Sequence, residues 1–195
     1  MSKSRVGRMV QIVPMTWDDL PEVLAIERES QAEPWSERSF GEELARPETW
    51  AFVARLSGTW GEGIEMHSRG SVGLNFPTDH GMPLCGYVCF WIVADELQIM
   101  NIAVHRSFRR RGIGWALLSH ALGAGVASGA RRAFLEVRKS NGGARKLYEK
   151  AGFSKVGERP GYYGLDQEAA VLMEMVLYPP DSDPTSLFQR QVRSC

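Results

Sequence analysis

The sequence predicts a single α/β domain of the α+β type, with a mixed, mostly antiparallel sheet of about six to seven strands and about four helices. Three observations support this prediction. Short runs rich in β-branched and aromatic residues alternate along the chain with stretches of helical periodicity. Two of these runs flank the tight turn Ala94-Asp95, which predicts an antiparallel hairpin. Between residues 96 and 137 a strand, a helix and a strand follow one another, which predicts a parallel crossover.

In the N-terminal third, the pattern predicts a strand, two capped helices and a second strand. Thr16 begins the first helix through a capping box with Asp19, three residues later. Ser36 begins the second helix as its N-cap residue. The strands are predicted over residues 10–13 and 50–56.

The segment Gly58–Pro83 is rich in glycine and turn residues and shows little periodicity. A connection of that length is uncommon in a compact domain, so we expect a mobile flap or a disordered insertion. The polar segment 179–195 is expected to be a loosely docked or disordered tail. Residues 1–178 are therefore predicted to form the single domain.

In the C-terminal half, one helix follows Gly114 and another is capped by Asn141. Gly123 and Gly125 are expected to weaken the first of these by roughly 1 kcal/mol each relative to alanine. The strands of this half are predicted over residues 86–93, 96–104, 132–137, 153–158 and 170–177.

With 195 residues, 44% hydrophobic and 24% charged, the chain has the length and composition of one ordinary globular domain. Its 23 basic and 23 acidic residues cancel. A neutral chain has no global field that would attract nucleic acid or an anionic membrane. We therefore expect neither direct nucleic-acid binding nor membrane association.

The cysteines Cys85, Cys89 and Cys195 show no metal-ligand spacing. Their odd number fits a reducing compartment better than a disulfide framework. Cys85 and Cys89 are expected to be core thiols that share a strand face. The amino terminus has no apolar signal segment, and the longest apolar run, 84–94, is too short to span a bilayer. These features predict a cytoplasmic protein without a metal centre.

The segment Arg109-Arg110-Arg111-Gly112-Ile113-Gly114 joins a predicted strand to a predicted helix. At such a junction the first helical N–H groups lack intrahelical partners and the helix dipole adds partial positive charge, so backbone alone can hold a pyrophosphate. Gly112 and Gly114 let the main chain approach that group closely. On these residues alone, a basic surface turn is an equal alternative.

The spacing Arg-x-x-Gly-x-Gly resembles the acyl-coenzyme-A-binding signature of the GCN5-related N-acetyltransferases, the GNAT superfamily. It differs from a P-loop, since no Lys-Ser or Lys-Thr follows Gly114, and from the dinucleotide fingerprint in its glycine spacing. A second stretch, residues 134–141 followed by 144–153, is similar to the family's next strand, Asn-capped helix and Gly-Phe exit. The resemblance implies a GNAT fold that is splayed at the acetyl-CoA site, with acetyl-CoA as cosubstrate and no metal.

The resemblance also implies roles for two side chains that the sequence alone leaves open. Glu136 alternates with Leu135 and Val137 along a strand and is by itself equally a solvent-facing carboxylate. Tyr148, one turn after Ala144, is by itself more often a packing residue. In the family the matching glutamate is the general base, directly or through water, and the matching tyrosine is the general acid.

For the cofactor, the resemblance implies contacts from three parts of the chain. The backbone of Ile102, Ala103 and Val104 would pair with the pantetheine amides as though the cofactor were an added strand. Asn141, also a helix cap, would bond to the pantetheine arm. The pyrophosphate contacts would come from Arg109, Arg110, Arg111, Gly112, Ile113, Gly114 and Trp115.

Four stretches resemble the ribosomal-protein-alanine N-acetyltransferases of the RimI type, namely residues 34–37, 101–104, 135–141 and 159–163. This resemblance implies transfer of the acetyl group to the N-terminal alanine of a small-subunit ribosomal protein. It also implies that Trp35, Tyr162 and Tyr163 border the acceptor groove. Gly143 and Gly164 stand where the pattern more often has alanine and proline, so the identity of the acceptor stays open.

The same sequence features leave other functions as alternatives to this one. The acceptor could be a protein lysine or a small-molecule amine. A non-catalytic acyl-CoA sensor is a further alternative, against which the presence of both Glu136 and Tyr148 argues. Nucleic-acid binding through the clustered arginines is weakly supported, because no aromatic residue is interleaved with them. The expected partner is thus the N-terminal peptide of a ribosomal protein, and the chain is expected to be a monomer or a weak homodimer.

Overall fold

The computed structural model of the protein describes residues 9–57, 82–164 and 167–177. The predicted tail 179–195 lies outside these residues, and so does the predicted insertion 58–83 apart from its last two positions. The described part forms seven strands and four α-helices, as predicted. The strands are β1 Met9–Pro14, β2 Thr49–Ser57, β3 Leu84–Val93, β4 Glu96–Val104, β5 Arg132–Arg138, β6 Ser154–Tyr163 and β7 Glu168–Val176. The helices are α1 Leu20–Ser30, α2 Glu37–Leu44, α3 Ile113–Ala127 and α4 Gly142–Ala151.

The predicted N-cap residues are confirmed. Ser36 Oγ accepts a hydrogen bond from Ser39 N at 3.0 Å where α2 begins. Asn141 Oδ1 accepts one from Ala144 N at 3.1 Å where α4 begins. The capping box of Thr16 and Asp19 also forms, but around a short 3-10 turn that precedes α1. Local sequence therefore sets where these helices begin.

The seven strands form one sheet in the order β1-β2-β3-β4-β5-β7-β6. Every neighbouring pair is antiparallel except β4 and β5, which α3 connects as the predicted parallel crossover. Strand β6 continues past its predicted end at Glu158, and Tyr163 pairs with Glu168. Tyr162 and Tyr163, which follow the predicted strand 153–158, are therefore the last two residues of β6.

Two β-bulges change which face of the sheet the side chains occupy. Between β2 and β3 the pairing passes from Ala54 with Gly86 to Arg55 with Leu84, so Cys85 has no residue opposite it in β2. Cys85 and Cys89 consequently lie in different core clusters. The expectation that these two thiols share a strand face is wrong, because the extra residue reverses the alternation between them.

The second bulge lies in β4. The pairing with β3 passes from Cys89 with Asn101 to Phe90 with Ile99, so Met100 has no residue opposite it in β3. Before the bulge, Ile99 packs in the cluster beneath α3, whereas after it Ala103 packs in the cluster beneath α1. Residues 101 and 103 are thereby turned to the α1 side of the sheet.

The helices cover both faces of the sheet. Helix α3 packs on β3 and β4 from one side, and α1 packs on the same strands from the other. Both sides bury large apolar residues, such as Leu117 and Leu135 on one and Val23 and Phe40 on the other. Each such side chain contributes about 1.5–3 kcal/mol of burial free energy.

The two thiols in the described part of the chain are both buried in these clusters. Burial raises the pKa of Cys85 to about 12. Burial also raises the pKa of Cys89 far above that of an ordinary thiol. Both side chains are therefore neutral at physiological pH.

The two glycines near the end of α3 differ in their surroundings. A Cβ at Gly123 would meet no atom within 4 Å, whereas one at Gly125 would lie 2.5 Å from Leu97 Cδ1. Leu97 is fully buried, so its side chain has little room to move. Gly125 thus allows the close approach of α3 to β4 and does not simply weaken the helix.

The two positions should respond oppositely to alanine. Gly123→Ala should stabilise the fold by roughly 0.5–1 kcal/mol, because alanine is the better helix former. Gly125→Ala should destabilise it by roughly 1–3 kcal/mol, because the added methyl group overpacks the core against Leu97. Urea unfolding of both variants measures the difference, and equal stabilisation by the two would contradict the packing role of Gly125.

Candidate active site

A cleft opens where β4 and β5 separate. Their parallel pairing runs from Glu96 with Arg132 to Ile99 with Leu135 and then stops, although β4 continues to Val104 and β5 to Arg138. The cleft has a cavity volume of about 150 Å³. Its lining residues come from both diverging strands, α1, α4, the α1–α2 connection and the end of β6. The splayed sheet implied by the family resemblance is thus present.

Six of the predicted site residues lie together at this cleft. They are Trp35, Ile102, Glu136, Asn141, Tyr148 and Tyr163. Ala144 and Tyr148 both line it, as expected for two residues one turn apart on α4. Ala103 does not, because it packs in the core beneath α1.

Glu136 reaches the cleft from β5 and is held by two donors from β6. Its Oε1 accepts a hydrogen bond from Arg159 Nη1 at 2.6 Å, in an ion pair. The Tyr162 hydroxyl donates a second hydrogen bond to the same carboxylate, and this bond is the main cause that raises the pKa of Tyr162. Tyr162 therefore contacts Glu136 although it is not part of the cleft lining.

Tyr148 presents a buried phenol to the cleft. Its ring packs edge-on against Phe153, with the ring centroids 6.0 Å apart. Burial raises the pKa of Tyr148 well above that of a free tyrosine, and Tyr163 adds to the effect. The hydroxyl group is therefore a proton donor across the whole physiological pH range.

Arg138 joins the two walls of the cleft. Its guanidinium lies 3.2 Å from a carboxylate oxygen of Glu33, before α2, and 3.1 Å from one of Glu168, at the start of β7. It also lies 4.0 Å from the ring centroid of Tyr163, in a cation–π contact. The hydrogen bond from the Ser140 backbone N–H is the main cause that lowers the pKa of Glu168, and Arg138 adds to this effect. The α1–α2 connection, the end of β6 and the start of β7 therefore meet at one arginine of β5.

Sequence reasoning missed Arg138 and also Glu27, a fully buried carboxylate that lines the cleft from α1. One signal for Glu27 was available. It stands seven residues after Leu20, where helical periodicity continues the buried face, so an acidic residue there is unexpected. For Arg138 the signal was weaker, because an arginine at the end of a strand is ordinary.

The predicted phosphate loop follows the end of β4. Arg110 and Gly112 both have left-handed backbones, with φ of 61° and 82°. A Cβ at Gly112 would meet no atom within 4 Å, so the space beside this residue is open. Ala116 N donates to Gly112 O at 2.9 Å, which begins the hydrogen bonding of α3. Successive N–H groups in such a turn form an anion-binding concavity.

Arg109 has a different environment from the other two arginines of this loop. Its Nε donates to Val104 O at 2.9 Å and its Nη2 donates to Ser30 Oγ at 3.1 Å. It therefore ties the loop to the last residue of β4 and to the end of α1. In the first turn of α3, Trp115 stacks under Lys150 of α4, with the Nζ atom 5.1 Å from the ring centroid.

No group of three or more histidine, cysteine, aspartate and glutamate side chains within residues 9–57, 82–164 and 167–177 is arranged to hold a metal ion. None of the helices in this part of the chain is long and apolar enough to cross a membrane.

Comparison with known proteins agrees with the geometry. Residues 20–153 match the model of the acetyltransferase (GNAT) family. The chain is 30% identical to the [ribosomal protein bS18]-alanine N-acetyltransferase of Escherichia coli K12, over 80% of this chain and 90% of that protein. The Salmonella typhimurium LT2 protein of the same name is 31% identical, over 80% and 90%.

The crystal structure of the ribosomal-protein-S18-alanine N-acetyltransferase from Escherichia coli has the same fold. It superposes with a TM-score of 0.67 and 28% identity, covering 90% of this chain and 99% of that one. The resemblance drawn from the sequence motifs is thus confirmed. The chain belongs to the GNAT family and is an acetyl-CoA-dependent N-acetyltransferase.

Proposed function

We propose that this acetyltransferase modifies the N-terminal amine of a protein, and that its acceptor is the N-terminal alanine of a small-subunit ribosomal protein. The observation that carries the proposal is the meeting of Glu136 and Tyr148 at the cleft where β4 and β5 separate. The names of the Escherichia coli and Salmonella relatives support the choice of acceptor. Such a substrate places the protein in the cytoplasm.

On the cofactor side, the proposal assigns the acetyl-CoA thioester to the splayed part of the sheet. The backbone of Ile102, Ala103 and Val104 has no strand partner on the β5 side, so it can pair with the pantetheine amides as a strand would. Asn141 contributes from the start of α4, where it already lines the cleft. The loop from Arg109 to Trp115 receives the pyrophosphate.

In the chemical step, Glu136 takes the proton of the acceptor amine, directly or through water. The amine nitrogen forms a bond to the thioester carbonyl carbon, and the carbon–sulfur bond then breaks. Tyr148 donates its proton to the departing thiolate. An α-amine has a pKa of about 7.7–8.0 and a lysine amine about 10.4, so an N-terminus gives up its proton more readily to a carboxylate.

On the acceptor side, Trp35 and Tyr163 line the cleft from opposite walls, and Tyr162 contacts Glu136. The proposal assigns these aromatic residues to the first residues of the acceptor peptide. The ion pair between Arg159 and Glu136 then has a clear consequence. An amine that approaches Glu136 must displace Arg159 or share the carboxylate with it.

The test is an acetylation assay with a panel of acceptors, read by mass spectrometry. The panel contains peptides that begin with alanine, peptides with a blocked N-terminus and an internal lysine, and polyamines. We expect acetylation at the alanine nitrogen and much slower reaction of the others. Preferred acetylation of the lysine peptides or the polyamines would overturn the proposed acceptor class while leaving the family assignment intact.

The phosphate loop is tested by Gly112→Glu. A carboxylate at this position should abolish coenzyme A binding, because it adds bulk and like charge against the pyrophosphate. Gly129→Glu is the matched control, since Gly129 has a similar φ of 86° and open space but lies beyond the other end of α3. Calorimetry with coenzyme A should detect binding to the control alone. Equal affinities would remove the loop from the site.

The proton transfers are tested by Glu136→Gln and Tyr148→Phe. Each should lower the chemical rate by about 10²–10⁴ and leave acetyl-CoA affinity within a few fold. Glu174→Gln is the control, because Glu174 also stands on a strand, is 23% exposed like Glu136 and pairs with Arg132. Near-normal turnover of both test variants at saturating peptide would return the two residues to structural roles.

The pH profile gives an independent test of Tyr148. Because burial raises the pKa of Tyr148 well above 10, the phenol stays protonated and the rate should show no tyrosine-dependent fall up to about pH 10. A fall below pH 9 that disappears in Tyr148→Phe would contradict the buried environment of this hydroxyl.

A further inference from the structure

Glu27 is a buried carboxylate that the proposed chemistry does not use. It lies on α1 and is 0% exposed. Its Oε1 accepts hydrogen bonds from Trp35 N at 2.9 Å and from Asn101 Nδ2 at 3.0 Å. Its Oε2 accepts one from the Tyr87 hydroxyl. All three hydrogen-bond partners are neutral groups, so none of them is a cation that would offset the cost of removing this carboxylate from water.

The surroundings of Tyr87 keep its hydroxyl group in the donor state. Burial is the main cause that raises the pKa of Tyr87 well above its ordinary value, and the nearby Glu27 carboxylate adds to this effect. An apolar side chain of similar volume would fill the same space without a desolvation cost. What a carboxylate adds at this position is two acceptor oxygens in a fixed arrangement.

Two of the three partners, Trp35 and Asn101, line the cleft and come from different segments of the chain. Trp35 lies in the connection between α1 and α2, and its ring packs edge-on against Phe40. Asn101 directly follows the bulge at Met100, where β4 turns away from β5. Gln31 Nε2 also donates to Asn101 Oδ1, at 3.1 Å. One carboxylate therefore connects the peptide-facing wall to the strand that forms the cleft.

We infer that Glu27 is a positioning residue for the acceptor. It holds the Trp35 backbone and the Asn101 side chain at the distance that lets a peptide N-terminus enter beside Glu136. The inference rests on the proposed function for the identity of the acceptor. It does not depend on which residue moves the proton, because Glu27 acts through Trp35 and Asn101.

The test compares Glu27→Gln with Glu27→Met. In the glutamine variant, the amide oxygen still accepts from Trp35 N and Asn101 Nδ2, and the amide NH2 group donates to the Tyr87 hydroxyl. In the methionine variant, the volume is retained but every acceptor is lost. Glu22→Met is the control, because Glu22 is a second buried carboxylate of α1 whose partners, Arg55 and Leu84 N, lie away from the cleft.

Steady-state kinetics with an alanine-initiated peptide give the first readout. Glu27→Gln should keep the peptide KM within about threefold, and Glu27→Met should raise it about tenfold or more, with acetyl-CoA affinity within about twofold in both. The control should leave the peptide KM unchanged. Equal effects of glutamine and methionine would assign the role to charge and overturn the inference, as would an unchanged KM in Glu27→Met.

Hydrogen exchange of the Trp35 amide, measured by NMR, gives a readout that needs no substrate. The amide should be strongly protected in the unmodified protein and in Glu27→Gln, and exchange faster in Glu27→Met. An unprotected Trp35 amide in the unmodified protein would overturn the inference even if Glu27→Met does not fold. If the unmodified protein acetylates no N-terminal peptide, the proposed function fails, and the exchange rates still decide whether Glu27 anchors Trp35.

Discussion

The separation of β4 and β5 after Ile99 and Leu135 is the constraint on which the rest of the structure depends. Two central strands that lose each other's hydrogen bonds leave backbone donors and acceptors that need other partners. The fold accepts this cost in the middle of its sheet, where pairing is ordinarily most stable. The bulge at Met100 begins the separation, because it changes the direction and the alternation of β4 at the point where pairing ends. The gap can then be filled by an extended ligand, and the residues at its borders come from both sheet faces.

Polar contacts rather than apolar packing hold the borders of this gap. Arg138 connects the α1–α2 segment with the start of β7, and Glu27 connects that segment with β3 and β4. Networks of this kind add little stability relative to an apolar core, because their charges must leave water. Their strength is directional, since each hydrogen bond fixes a distance and an angle. The walls of the cleft are therefore fixed in position without closing the space between them.

Sequence patterns were sufficient to predict the helices and strands. They were not sufficient to predict how these elements contact one another across the sheet. Ser36 and Asn141 were predictable as caps because their hydrogen-bond partners lie three residues away. The bulge at Cys85 was not, because it exists only in the register between two strands. Helix propensity alone predicts that Gly125 weakens its helix, whereas the structure has Leu97, on β4, packed against it. At the cleft, sequence motifs predicted Glu136 and Tyr148, which both line it, whereas Arg138 and Glu27 depend on partners separated by 105 and 74 residues.

The burial of the two described thiols has a consequence for an enzyme that handles a thioester. A cysteine takes the acetyl group of a thioester only as the thiolate, which attacks the carbonyl carbon while the original thiolate leaves. A reactive thiolate near acetyl-CoA would therefore become acetylated in place of the amine. Cys85 and Cys89 lie in β3, next to the strand that borders the cleft. The apolar clusters that bury them also keep them protonated, as the raised pKa values indicate. Core packing in β3 thus keeps both thiols out of the thiolate form that could accept an acetyl group in place of the amine.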